Sequence, residues 1–532
     1  MNTLRELSHK NEKKAKMICS KLLRSCSLIL FFTLVALPLQ ASVRLHSIFS
    51  DNMVLQRDAR TAIFGFADDG ISITVEIAGQ TKETAAKNGK WKVFLDPVVA
   101  GGPHTLTVKH KGGTISMKNI LFGDVWLASG QSNMQTAIMY YKDNWPEMFK
   151  DIPGNYSNDK IRFFRVDIGA ADKAPDDVSR ERRFSNGWRL CDPDSSLVTP
   201  ATVYFFSKAL QEKTGVPVGV FTSAVGGTSI SSWIPLEVLK SREEFKKAYL
   251  DKYEKACGEF PAANEKYKAE LAKWNAMKES GEKNLPRKPA EPFGPNSIGR
   301  PGGLYNYMIS PISGFTIRGA IWYQGESDVD APLVYRDLFP ALIRHWRSAL
   351  NQGDFPFYYV QLGTCERPSA TAVPADPNWA YLRESQAMAL SLPNTAMAVA
   401  IDTGIRDNVH SPFKQTIGQR LCAIALHNSY GQDNIPCEGP KFADMSIDGE
   451  KAVLSFNNTG GGLVAKGVAI DGIVLPEGVL RGFAVCGDER VFKWADAAIN
   501  GDKVVFSCPD VKNIVAVRYA WANFPLCNLY NK

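Results

Sequence analysis

Five short apolar runs, at 120–128, 216–223, 319–323, 357–362 and 397–401, are separated by helix-like stretches, and this alternation constrains the chain more than any other feature. A strand buried on both faces reads as an unbroken apolar run, and parallel neighbours need a crossover of a dozen or more residues, usually a helix. The pattern predicts an α/β fold: a parallel sheet in a three-layer arrangement, with chemistry in the loops at the carboxyl ends of the strands.

The flanks follow a different rule. From 42 to 118, apolar and polar residues alternate in runs such as Ile73-Thr74-Val75-Glu76-Ile77 and Trp91-Lys92-Val93-Phe94-Leu95, broken by Asn88-Gly89 and Gly101-Gly102-Pro103. Such spacing predicts an antiparallel β-sandwich. Similar runs resume after Pro440 and predict a β-rich C-terminal domain at 440–532, leaving the α/β domain at 119–439 between the two. Within that domain, a Lys/Glu/Ala-rich stretch at 239–282 carries apolar residues at helical intervals and predicts an inserted, solvated helical hairpin.

Residues 1–41 have the order of a secretory signal peptide: basic residues from Lys10 to Arg24, an apolar run from Leu28 to Leu39, then the small pair Ala41-Ser42. The run is shorter than the ~20 residues that span a bilayer, so the mature chain is expected in the periplasm or outside the cell, with no membrane span. Seven basic residues oppose two acidic ones in this segment, so it holds +5 of the net charge of +7 and leaves +2 for the rest. That field is too weak to predict a nucleic-acid partner. Ten cysteines permit disulfides, but no C-x-x-C pair or cysteine–histidine grouping predicts a metal, and no cofactor is expected.

The first apolar run ends in Ser129-Gly130-Gln131-Ser132-Asn133-Met134. A strand entering a glycine turn, with a helix behind it, presents a hydroxyl at the sheet edge and aims backbone N–H groups at whatever that hydroxyl attacks. Two readings of Ser132 stay open, an acyl-transfer nucleophile or a simple helix cap. The G-x-S-x-G elbow of α/β-hydrolases is absent. A nucleophilic serine needs a base, and histidine exchanges protons near neutral pH. His46, His104 and His110 fall in the first β-domain, and His345 and His427 lie on or beside helices. His410 alone has an aspartate three residues before it, in Asp407-Asn408-Val409-His410.

Two more loops follow apolar runs. In Gly226-Gly227-Thr228-Ser229 a glycine amide can face a developing oxyanion, or the glycines only form a tight turn. In Trp322-Tyr323-Gln324-Gly325-Glu326-Ser327-Asp328 the Gln324 amide is a candidate oxyanion donor, while Glu326 and Asp328 are also candidates for the paired carboxylates of a glycoside hydrolase. A non-catalytic glycan-binding protein is the third class these sequences allow.

Taken together, Gly-Gln-Ser-Asn-Met, Gly-Gly-Thr-Ser-Ile-Ser-Ser-Trp, Trp-Tyr-Gln-Gly-Glu-Ser-Asp and Asp-Asn-Val-His resemble the blocks of the SGNH hydrolase superfamily, and more narrowly those of the sialate O-acetylesterases. The likeness extends to the flanks, in the segment from Phe49 to Gln56 and in Val517-Arg518-Tyr519-Ala520-Trp521. It implies Ser132 as nucleophile, His410 as general base and acid, and Asp407 as orienting carboxylate, with Asp402 and Glu326 as substitutes. It also implies an oxyanion hole made by the Ser132 and Gly227 amides and the Gln324 side chain. The implied substrate is O-acetylated sialic acid, with acetylated xylan or another glycan as the alternative. Gln131, Trp233, Trp322, Tyr323 and Glu326 are candidate substrate-binding residues, and Arg383 and Arg406 are candidate partners for a sugar carboxylate.

Overall fold

The computed structural model describes residues 43–532 apart from 151–156, 181–186, 366–372, 375–376, 449–450 and 471. The expected signal segment lies outside the described residues. All five apolar runs form strands of one sheet, and two further strands join them: β1 Gly113–Gly130, β2 Asn158–Arg165, β3 Arg189–Cys191, β4 Val218–Ala224, β5 Gly319–Tyr323, β6 Phe357–Val360 and β7 Thr395–Ala398. Their order is β3-β2-β4-β1-β5-β6-β7, parallel throughout except for β3 at the edge. Strand β2 lacks the continuous apolar signature because Lys160, Arg162 and Arg165 interrupt it. Arg162 is nevertheless buried, and that burial pulls its pKa down to about 10.

Strand β1 explains how the N-terminal β-structure joins the centre. Its first half pairs antiparallel with the strand Gly101–His110, while its second half lies parallel between β4 and β5. The expected boundary between 118 and 119 therefore falls inside a single strand. The pattern changes there because β1 passes from a face open to water into burial on both sides, becoming continuously buried from Ile120 onward.

Helices cover both faces. Helix α1 (Ala201–Thr214) packs with α5 (Lys414–Tyr430) on one side, where a methyl group at Gly418 would lie 2.6 Å from Phe205 Cβ. Trp126 of β1 meets Phe206 of α1 edge-on at 5.4 Å. On the other side, Phe339 of α3 (Pro332–Leu350) packs on Tyr359 and Phe357 of β6, at 4.9 and 6.1 Å. Helix α4 (Asn378–Met388) packs beside α3.

The insertion differs from expectation. Instead of a hairpin, one helix, α2 (Asp251–Glu279), continues from a π turn at Lys246–Leu250, with no residue fully buried. Both expected arms lie in this one helix, and the Pro-rich segment beyond it returns along its side: the Trp274 indole N–H donates to the Pro286 carbonyl (2.8 Å), and Tyr253 to that of Pro295 (3.4 Å).

Beyond α5, the strands Lys441–Asp448, Lys451–Asn457, Lys503–Ser507 and Asp496–Asn500 form an antiparallel sheet with its own core, including Phe483 and Phe506. Arg383, considered above for a sugar carboxylate, is buried and donates to the carbonyls of Ala520 and Ala522. It ties this region to α4 instead of facing a ligand. The eight described cysteines are free thiols, and no described helix is long and apolar enough to cross a membrane.

Candidate active site

The chain leaves β1 with β4 on one side and β5 on the other, so the loops after these three strands diverge around a common crevice. Gly130 makes the geometry possible. Its φ is +136°, and a methyl group there would lie 2.1 Å from the Tyr323 carbonyl oxygen. The close approach lets the Gln131 amide donate to that oxygen (3.0 Å) before the one-turn helix Ser132–Gln135 begins.

Ser132 Oγ and His410 Nε2 are 2.8 Å apart, although 278 positions separate them in sequence. The β4 loop closes against the serine: a methyl group at Gly226 would lie 3.2 Å from Ser132 Cβ, and the Gly226 amide donates to Gln135 Oε1 (2.7 Å). Gly227 follows with φ +70°. His410 is half-buried at the end of a loop braced by its own amide, which donates to Asn408 Oδ1 (2.8 Å). Asp407 is an exposed residue of the same loop, with φ +54°. Burial first, and then the Lys414 cation, push the His410 pKa below its usual value.

Beneath this pair lies a polar cluster that the sequence did not reveal. Asn133, buried, donates from Nδ2 to Glu326 Oε1 and to the Val409 carbonyl (2.9 Å), and its Oδ1 accepts from Lys414 Nζ. One amide thus joins the serine turn, the β5 loop, the histidine loop and the start of α5. Lys414 is itself buried, with its ammonium 5.2 Å from the Tyr323 ring centre and 5.4 Å from that of Tyr141. Burial pulls its pKa down to about 7, against the opposing pull of Glu326. Burial raises Glu326 above the ordinary carboxylate range. Asn133 was visible only as the residue after Ser132. Lys414 has no local signal, since its meaning depends on a partner 281 positions away.

Several expected roles are corrected. Gln324 is fully buried, and its two amide hydrogens go to the Thr228 carbonyl (3.1 Å) and Asp328, while Oε1 accepts from the Tyr335 hydroxyl (3.1 Å). No hydrogen is left for an oxyanion. Asp328 also accepts from Ser229 Oγ (2.7 Å), the Ile230 amide (2.9 Å) and Tyr249 (3.0 Å), so it anchors loops and does not form a reactive pair with Glu326. Gln131, buried, holds the β5 loop by accepting from the Gly325 and Ser327 amides (both 3.3 Å). Trp233 and Trp322 meet edge-on at 6.0 Å in the core, and Tyr323, next to Trp322 in sequence, is also buried, so none of the three offers a face to a sugar. Glu326 keeps some surface exposure as a residue, but its carboxylate is buried, with Oε2 left without a hydrogen-bond partner. Asp402 is committed to a two-pronged pair with Arg420 (2.6 and 2.7 Å) and to Tyr530 (2.6 Å), which removes it as a substitute for Asp407.

Comparison with known proteins points to carbohydrate esterases. Residues 294–427 match a family model described as carbohydrate esterase, sialic acid-specific acetylesterase. The sialate O-acetylesterases of mouse and human are each 27% identical to the chain, covering 91% and 92% of it and 90% of their own lengths. The crystal structure of a carbohydrate acetylesterase from Xanthomonas citri superposes with a TM-score of 0.73 at 30% identity, covering 92% of this chain and 97% of that one. On the likeness to the Xanthomonas enzyme, the chain belongs to the carbohydrate acetylesterases.

Proposed function

We propose that the protein is a serine esterase that removes O-acetyl groups from sialic acids through an acyl-enzyme. The observation that carries the reading is the 2.8 Å contact between Ser132 Oγ and His410 Nε2 at the carboxyl edge of the sheet. Neutral Nε2 takes the serine proton as Oγ attacks the acetyl carbonyl carbon. The backbone amides of Ser132 and Gly227 receive the oxyanion. The bond between the acetyl carbon and the sugar oxygen then breaks, leaving acetyl-serine, and His410 returns the proton to the departing sugar oxygen. Water attacks the acetyl-serine with His410 again as base, and acetate leaves as Ser132 regains its proton. Asp407 is the carboxylate assigned to orient the imidazole. The export inferred from residues 1–41 would bring the enzyme to extracellular or periplasmic glycans. The test is acetate release from O-acetylated sialic acid and from acetylated xylan, measured side by side. Release from the sialic acid with higher kcat/KM supports the reading, and release from xylan alone contradicts its substrate.

The histidine's environment fixes the sign of the pH dependence. The base is the neutral ring, so a lowered pKa keeps the enzyme active further into acid, with the acid limb of kcat/KM below 6.5. Lys414 is still protonated where His410 titrates, since its own pKa is near 7. Lys414→Met removes that cation and should move the acid limb upward, toward the ordinary histidine value. A limb that stays in place or moves down contradicts this coupling.

A further inference from the structure

A cavity of about 710 Å³ begins at Gly227, beside the proposed nucleophile, and runs under the insertion. Its floor is the turn from Gly227 to Ser231. One wall is the start of α2 with Tyr253, the other is the Pro-rich segment with Phe293 and Asn296, and Ser327 to Ala331 close the end. The volume falls within the roughly 300–1,000 Å³ of small-molecule sites.

The walls are held in place before any ligand arrives. Tyr249 donates to buried Asp328, Ser232 donates to the Gly299 carbonyl (2.7 Å), and Gly294 fits so tightly that a methyl group would reach 2.1 Å from Phe260. Against this fixed frame Phe293 is 46% exposed, a large aromatic surface left open to the groove. Tyr253 supports it edge-on at 5.8 Å. The polar groups on offer are hydroxyls and an amide. The charged ones are exposed Lys252 against exposed Glu291 and Asp330 and buried Asp328, so the groove gives no net pull on an anion.

We propose that this groove is a subsite for a neutral pyranose, the sugar joined to the acetylated residue, with Phe293 as the surface on which its C–H face packs. The inference rests on the esterase reading above and adds where the rest of the glycan lies. An aromatic face, neutral hydrogen-bonding groups and continuity with the Gly227 loop match an uncharged sugar ring better than an acid or a peptide.

The test compares kcat/KM for an O-acetylated sialyl-trisaccharide with that for the free O-acetylated sialic acid, and for acetylated xylotriose with acetylated xylose. The wild type should prefer at least one longer substrate. Phe293→Ala should reduce that preference about fivefold, mainly through KM, whereas Phe293→Trp should retain it. Added salt should not change the preference, because the ring held there carries no charge. A preference seen only with xylotriose supports the groove while counting against sialic acid as the substrate. Equal use of long and short substrates by the wild type, or equal losses on both in Phe293→Ala, overturns the subsite. A wild type that releases acetate from none of them, nor from an aryl acetate, overturns the esterase reading itself.

Discussion

Ser132→Ala is expected to lower kcat for an aryl acetate by roughly ten-thousand- to million-fold while leaving the fold intact. The size follows from what is removed. Without Oγ no acyl-enzyme forms, and the amides around the oxyanion can only assist direct attack by water, which retains a small residual rate. The fold should survive because Ser132 is only partly buried and its side chain makes one hydrogen bond, to a histidine that water can also satisfy. Loss of one such bond costs about 1 kcal/mol. Steady-state turnover together with a thermal melt checks both halves of this expectation. Near-normal turnover would remove Ser132 from the mechanism.

His410→Ala should cost nearly as much, for a different reason. The hydroxyl stays, but no other group within the observed contacts of Ser132 Oγ accepts its proton, so the nucleophile remains a neutral alcohol. Because serine and histidine act as one unit, the double variant should be little worse than either single one. Losses that multiply would mean that the two residues work separately. Asn133 and Lys414 enter here as positioning residues. Their bonds to the Val409 carbonyl and to each other hold the histidine loop against the serine turn, without contact with the reacting atoms.

The sheet was legible because strands buried on both faces must be apolar, and the five runs became five of its strands. Strand β2 was not, since three charged residues break its apolar run and only tertiary packing buries Arg162. The insertion was legible as helical, but the two arms expected within 239–282 run on as one helix, straight through Pro261. At the site, Ser132 and His410 stood out through residue type and loop position, and the structure brings them into contact. Gln324 misled for a physical reason: whether a side-chain amide is free depends on partners at Thr228, Asp328 and Tyr335, and no local spacing encodes those. Trp233 and Tyr323 misled similarly, because an aromatic residue near a strand end looks the same in sequence whether it faces a sugar or the core.

The central claim is a covalent step at one hydroxyl, and a serine-directed fluorophosphonate tests it most directly. Treated protein, digested and mapped by mass spectrometry, should carry a single adduct on Ser132, formed in step with loss of acetate release and absent from Ser132→Ala. An adduct at another residue, or continued acetate release from fully labelled Ser132, would contradict the account.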